Sequence, residues 1–373
     1  MSISIKWKGP SLDPSGYGTA NRDYIDALYR VGVDITVQPW NFEAKSASFY
    51  GKQGELVESL KNRNIDYDVV VHHYVPNNIV PEEGKFNVGY NTWETDSLPD
   101  HWVEKMNESF DLVLVPSNFN KQVYKNSGVK TPIEVVPHCV DVSEFKNAEP
   151  ARIPGYENRY KFFSVFQWIE RKNPVGLLKA YFTGFYNRDD VLLVLKTYGS
   201  NTSTDQRNKI KQMIDNLKKD LRLDPNKLPP IYFLGDLLTR DIMTSVYKAC
   251  DCFVLPTRGE GFGIPFAEAL AADMQVVAPK QGGQLDILEP QELTGYLPCG
   301  GQWTPVSHMP WIPNYNGLMN WFDPNILEFR DQMIKAAEMK TPHTIVQPSK
   351  HIANNFNHET IGNLFIHSIE KHM

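Results

Sequence analysis

Residues 251–283 read DCFVLPTRGEGFGIPFAEALAADMQVVAPKQGG, and the order of residue types in this stretch decides the fold. Residues 252–255 form a short apolar run closed by Pro256, which suits a buried parallel strand. Glu260, Gly261, Phe262 and Gly263 continue neither strand nor helix, so they lay bare backbone at the strand's carboxyl end. Pro265 fits the first turn of a helix, because the amide it lacks would be unpaired there. Phe266, Ala269 and Leu270 share one face of that helix, and 276–278 resume as a strand. Glu260 and Glu268 bracket the loop with seven residues between them. Two carboxylates beside free amides at a helix N-terminus suit a ligand rich in hydroxyls and phosphate. Taken alone, the pattern also fits a structural turn whose glutamates merely offset the helix dipole.

The bulk composition narrows the class. At 373 residues the chain exceeds the size at which one core keeps growing, so two domains are expected. A net charge of −6 argues against a nucleic-acid footprint, and no nucleic-acid partner is expected. No apolar run reaches the roughly 20 residues needed to span a bilayer. The N-terminal MSISIKWKGP lacks the layout of a signal peptide. Cys139, Cys250, Cys252 and Cys299 have neither zinc-ligand spacing nor the density of a disulfide framework. The expectation is a cytoplasmic protein with reduced thiols.

Strands alternate with helices along the chain. Apolar runs at 3–8, 34–38, 68–72, 86–90, 111–117 (ending at Pro116-Ser117) and 133–136 read as strands, with helical stretches at 55–63, 102–110 and 120–126. That rhythm implies a mostly parallel, doubly wound sheet. Periodicity lapses between 144 and 160, expected as a linker. A second series follows, with strands at 162–166, 191–196, 231–234 and the opening stretch, and helices at 176–183, 205–221 and 240–249. In 205–221, Ile210, Met213, Ile214, Leu217 and Leu221 recur at helical spacing while lysines fill the other face. A solvated outer face is the ordinary explanation, and a peripheral membrane contact is the lesser one. The aromatic, proline-rich stretch 300–324 is expected to be irregular. Helices at 329–339 and 358–372 complete the chain.

Loops at the carboxyl ends of strands in such sheets converge on one crevice. Besides the opening loop, two segments belong there. ERKNP, residues 170–174, follows a strand and precedes a helix. A diphosphate leaving group gains negative charge as its bond breaks, and Arg171 and Lys172 are the cations placed to meet it. Ser15, Gly16, Tyr17 and Gly18 follow the first strand, where glycines permit either a tight turn or close approach to a ligand. This is not a dinucleotide fingerprint, since Asn21 stands where the third glycine belongs. Asp66-Tyr67-Asp68 has the D-x-D form but precedes its strand, and no metal is expected.

EGFGIPFAEALA, preceded by FVLPT and followed by VVAPKQGG, resembles the signature of retaining GT-B glycosyltransferases of family 4. The likeness extends to the glycine loop at 16–18, VLVPS ending at Ser117, VVPHCVD at 135–141, ERKNP, YFLGDL at 232–237 and WFDP at 321–324. It implies an α/β GT-B fold: two doubly wound Rossmann-like domains facing across a cleft. Residues 1–148 would form the acceptor-side domain, with a C-terminal helix at 350–373 packing back on it, and 149–349 the nucleotide-sugar domain. The resemblance implies a hexosyltransferase that keeps the anomeric configuration and needs no metal or other cofactor. Its donor would be a UDP- or GDP-sugar, and its acceptor a glycan, a lipid-linked sugar, a protein or another hydroxyl. Glu268 would bind ribose hydroxyls and Glu260 hydroxyls of the sugar. The amides of Gly261, Phe262, Gly263 and Ile264 would meet sugar and phosphate. Arg171 and Lys172 would neutralise the diphosphate, and Gly16, Tyr17 and Gly18 would close over it.

The sequence departs from the family pattern in places. Phe166-Gln167 replaces a glycine-arginine pair, so Arg171 stands in for that arginine. Asp286 replaces a glutamate in the second glycine turn. The family histidine after an N-terminal strand is missing from VGYNTWET. Trp93 and Glu94 are the acceptor-side candidates instead. His73, at a strand end, is a third, against the commoner reading of a packed imidazole. The rival functions are a sugar-nucleotide epimerase, a phosphorylase (for whose cofactor lysine no motif is seen) and a GT-B module that only binds carbohydrate.

Overall fold

The computed structural model describes residues 3–40, 45–307, 309, 313–341 and 347–373. Two compact units are present. One comprises Met1–Asp141, Gly261–Ile264 and Ile352–Met373, and the other Val142–Glu260 and Pro265–His351.

The first unit is built on a six-stranded parallel sheet. Its strands are β1 (Ser4–Gly9), β2 (Asp34–Pro39), β3 (Val69–His73), β4 (Phe86–Tyr90), β5 (Leu112–Val115) and β6 (Ile133–Val135). Their order across the sheet is β2-β1-β3-β4-β5-β6. Val69, Val70 and Val71 are all fully buried, as expected of a central parallel strand covered on both faces. The helix Gly16–Arg30 packs against this sheet through Tyr24, Ile25 and Leu28, and the C-terminal helix His358–Glu370 adds Ile361, Phe365 and Ile369 to the same core. His358 lies 3.9 and 3.7 Å from the carboxylates of Asp23 and Asp26, fastening the start of the last helix to the first.

The second unit repeats the architecture. Its sheet contains β7 (Tyr160–Gln167), β8 (Val191–Tyr198), β9 (Ile231–Leu234), β10 (Cys252–Val254), β11 (Gln275–Pro279) and β12 (Leu297–Cys299). The order is β12-β11-β10-β7-β8-β9. The register aligns Cys252 with Phe162 on β7 and with Gln275 on β11, so the loops after β7 and β10 leave the sheet side by side.

Several expectations need correcting. The expected linker opens with an ordered helix, Val142–Asn147. The first break between units falls at Asp141, because Phe145 of that helix packs on Tyr247 of the second unit at 5.8 Å. Residues 261–264 group with the first unit instead of with the domain that carries Glu260 and Glu268. Met213 was expected on the buried face of its helix but is 51% exposed; Ile210, Ile214 and Leu217 make that face. The stretch 300–324 is not wholly irregular. Strands β13 (Gly301–Pro305) and β14 (Asn320–Pro324) pair antiparallel, with Trp303 opposite Phe322, a cross-strand aromatic pair of the kind that stabilises such ribbons. Residues 308 and 310–312 of that stretch lie outside the described set.

Gly362 lets the last helix seat closely on the first. A Cβ there would lie 2.6 Å from the carbonyl oxygen of Ala27. Gly362→Ala is expected to destabilise the protein by about 1–3 kcal/mol, since backbone must move to admit the methyl. Thermal unfolding checks this; an unchanged midpoint would show that the helices separate freely.

Candidate functional site

The residues around Glu260 form a charged centre in the second unit. Glu260 is 6% exposed, and Lys172 Nζ lies 2.5 Å from its Oε1. Arg171 Nη1 is 3.8 Å from Oε2 and donates to the carbonyl of Gly259 at 2.6 Å. Burial opposes ionisation of Glu260, but the charges of Lys172 and Arg171 hold its carboxyl below the usual value. All three sequence candidates for the sugar and phosphate chemistry are therefore in contact.

Local sequence explains how they are held. Glu170–Lys172 is a single 3-10 turn, and Asn173 follows in the left-handed conformation, which asparagine tolerates. Its side chain accepts from Gly176 N at 3.1 Å and caps the helix Pro174–Gly184. Arg258 joins the two loops: it donates to the carbonyl and carboxylate of Glu170, both at 2.6 Å, and to Asp323 at 2.6 Å. Thr257 accepts from Gly259 N and donates to the carbonyl of Gly259, keeping the turn before Glu260 tight. Gly283 N donates to the carbonyl of Glu260 at 2.8 Å, so the second glycine turn braces the first.

Glu268 occupies a separate station on the helix Ile264–Ala271 and is 6% exposed. Its Oε1 is ion-paired with Arg240, whose Nε reaches Glu144 at 2.7 Å. The Arg240 guanidinium also lies over the Phe145 ring, 5.2 Å from its centroid. Sequence reasoning missed Arg240, Glu144, Thr257 and Arg258. The only signal for Arg240 was its place at a helix start after the loop 235–239, which does not reveal a partner 28 residues away.

The first unit holds the remaining candidates. Ser15 caps the helix Gly16–Arg30 by accepting from Gly18 N. A Cβ on Gly18 would lie 2.0 Å from the carbonyl oxygen of Asp13, whereas one on Gly16 would meet nothing within 4 Å. Gly18 is thus demanded by the turn, and Gly16 has open space. The Tyr17 ring sits 4.9 Å from Tyr74, and its hydroxyl donates to the carbonyl of Thr92 at 3.4 Å. Gly261 is also demanded by close approach, since a Cβ would come 2.3 Å from Thr92 Cγ2 and 2.9 Å from the carbonyl oxygen of Trp93. Ser117 donates to the carbonyl of Gly261 at 2.6 Å. The Phe262 ring packs edge-on to His138 at 5.0 Å, and Gly263 has a φ of +89°, which favours glycine. Ile264 packs against the first unit's core. The amides of Gly261, Phe262 and Gly263 make no hydrogen bond among the described residues.

Two acceptor-side candidates are not at a surface. Trp93 is 3% exposed; its indole donates to Thr95 and Ser97, and its ring packs on Trp102 at 4.6 Å. It holds the loop after β4 together. His73 is fully enclosed among Trp7, Tyr24, Tyr90 and His138, and burial, with His138 alongside, pushes its pKa well down. It is a neutral packed imidazole. Glu94 is partly exposed. Asp66 and Asp68 point to Lys85 and Ser4, and no group of three or more metal-ligating side chains is present among the described residues. The four cysteines are free and buried. No described helix is long and apolar enough to cross a membrane.

Arg171, Lys172, Arg240, Arg258, Glu260 and Glu268 fall within one recognisable segment. Residues 145–304 match the family described as Glycosyl transferases group 1. The chain is 27% identical over 179 residues to an uncharacterized glycosyltransferase, YqgM, of Bacillus subtilis (strain 168). That match takes in 48% of this chain and 45% of the relative, so the chain spans about half the relative's length. Solved structures resemble it over almost all residues. Anabaena Alr3699/HepE in complex with UDP and glucose has a TM-score of 0.65 at 14% identity, covering 99% of this chain and 100% of that one. A trehalose-6-phosphate protein from E. coli bound with UDP-2-fluoro glucose has a TM-score of 0.66 at 12% identity, covering 99% of each. An α,α-trehalose-phosphate synthase from Burkholderia vietnamiensis has a TM-score of 0.67 at 11% identity, covering 100% and 99%. The fold is GT-B.

The ion cluster makes a stability prediction. Glu260→Gln or Lys172→Met leaves a buried charge with less compensation, and each is expected to destabilise by about 3–5 kcal/mol. The double variant should lose less than the sum, with a coupling of about 0.5–3 kcal/mol. Because the carboxyl lies below its reference value of 4.5, its contribution is complete above about pH 4.5 and lost on further acidification. Denaturant unfolding of the four proteins at pH 7 and pH 4 tests both; additive losses would mean the pair is not coupled.

Proposed function

We propose that the protein is a glycosyltransferase that moves a hexose-like sugar from a UDP- or GDP-sugar to a hydroxyl acceptor, with retention of configuration and without a metal. The observation that carries this reading is the contact of Glu260 with Lys172 and Arg171, in the segment that matches Glycosyl transferases group 1, beside a second buried carboxylate at Glu268. Two of the similar structures support a nucleotide-sugar donor, since those proteins hold UDP with glucose and UDP-2-fluoro glucose.

Each residue has a chemical task in this reading. Glu268 accepts hydrogen bonds from two neighbouring ribose hydroxyls, while its ion pair with Arg240 orients it. The amides of Gly261, Phe262, Gly263 and Ile264 donate to sugar and phosphate oxygens. Glu260 accepts from sugar hydroxyls. Lys172 and Arg171 turn part of their charge from Glu260 to the diphosphate as it leaves. In the transfer, the bond from the anomeric carbon to the phosphate oxygen breaks and its electron pair goes to the phosphate. The acceptor oxygen bonds to that carbon on the same face and gives its proton to the departing phosphate oxygen. Glu94 is the acceptor-side candidate that remains, and residues 1–141 and 352–373 form the acceptor-side unit.

Four measurements test this. Glu268→Ala should weaken binding of UDP or GDP by about 1.5–3 kcal/mol in calorimetry, the size of a charged hydrogen bond; unchanged affinity removes the ribose role. Lys172→Ala should lower turnover by about 10²–10³ with little change in donor KM; wild-type turnover removes the leaving-group role. Turnover should survive excess EDTA, and NMR of the first-formed product should show the donor's anomeric configuration.

A further inference from the structure

The second unit buries one lysine that no carboxylate meets. Lys196, near the carboxyl end of β8, is 5% exposed, and its ammonium has no hydrogen-bond or ion-pair partner among the described residues. The Tyr198 ring lies 5.5 Å from Nζ. The acid whose field reaches it, Asp236, is already ion-paired with Arg207. Its strand neighbours are Val165 of β7 and Leu234 of β9. Burial pulls the amine's pKa down to about 8. The aliphatic stem is buried while Nζ keeps contact with solvent, and methionine would fill the same space without a charge to solvate. Core packing therefore does not account for a lysine at this position.

Its surroundings point to a ligand. β8 runs on to Gly199 and β9 to Gly235, and both glycines are needed for close approach. A Cβ on Gly199 would lie 2.3 Å from Gln206 Oε1, and one on Gly235 2.7 Å from the Phe233 ring. These contacts seat the loop after β8 against Gln206 and the loop after β9 against Phe233. Both loops leave the sheet at the same end as the loops carrying Arg171, Lys172 and Glu260, because all these strands are parallel. We propose that Lys196 is a nucleotide-anchoring residue whose ammonium donates to an oxygen of the donor, on the nucleoside or on a phosphate, and gains there the partner the chain does not supply. This rests on the nucleotide-sugar reading above.

Calorimetry on the full chain with UDP and with GDP, then with the nucleoside and monophosphate of the tighter binder, tests it. Lys196→Met should weaken diphosphate binding roughly 10- to 150-fold, as for a lost charged hydrogen bond. The unliganded melting temperature should hold or rise. Equal loss for nucleoside, monophosphate and diphosphate places the acceptor on the nucleoside; loss confined to the phosphorylated forms places it on the phosphate. Wild-type affinity in a folded Lys196→Met variant overturns the assignment and leaves the nucleotide reading standing. A wild-type chain that binds neither UDP nor GDP overturns both. Should the variant not fold, the wild-type chain serves: bound nucleotide should protect Lys196 from acetylation, read by peptide mass spectrometry, and equal labelling with and without nucleotide overturns the proposal.

Discussion

The carboxylate of Glu260 is held ionised inside the protein by Lys172 and Arg171, and the second unit's site depends on that interaction. β7 and β10 are neighbours, so their loops emerge together, but adjacency alone would leave two flexible glycine- and lysine-bearing segments. The ion cluster, with Arg258 bridging Glu170 and Asp323, gives each loop a single arrangement. A buried carboxylate next to two cations also keeps the unliganded centre near neutral. A diphosphate entering beside it would bring charge that Lys172 and Arg171 can meet by sharing, without the full desolvation of two unpaired cations.

The same pairing of charge recurs at Glu268, which is ion-paired with Arg240, itself anchored on Glu144 and stacked on Phe145. Lys196 breaks the pattern. Its stem is buried and its ammonium meets no carboxylate among the described residues, and ionisable groups so placed are where function is to be sought first.

The first unit is organised by packing instead. Rings cluster there: Trp7, Tyr24, Tyr90, His73 and His138 each lie within 4.5–6.4 Å of at least two of the others. Tyr24 and Tyr90 share the carbonyl of Val136 through hydrogen bonds of 2.9 and 2.8 Å. Such a base positions the glycine turn at Gly18 and the loop 91–98. His73 belongs to that base and Trp93 packs on Trp102, which is why residues that look reactive in the sequence have no exposed edge.

Much of this was legible from the chain alone. Apolar runs located the sheets, since a parallel strand covered on both faces must be apolar throughout, and Glu260, Arg171 and Lys172 stood out because glycines and prolines forced loops at strand ends. What sequence could not assign was partnership across distance. Arg240 meets Glu268, and Arg258 meets Glu170, through sheet order and helix placement, which local patterns do not encode. Burial of a single side chain was equally hidden: Trp93 and Glu94 are neighbours in sequence, yet one is core and the other reaches solvent. The sequence by itself determined the repeated α/β architecture and the glycine loop with its two carboxylates, because these follow from periodicity and backbone freedom. Tertiary structure alone decided which charges neutralise one another and which one is left without a partner, because that depends on where the sheets bring the loop ends together.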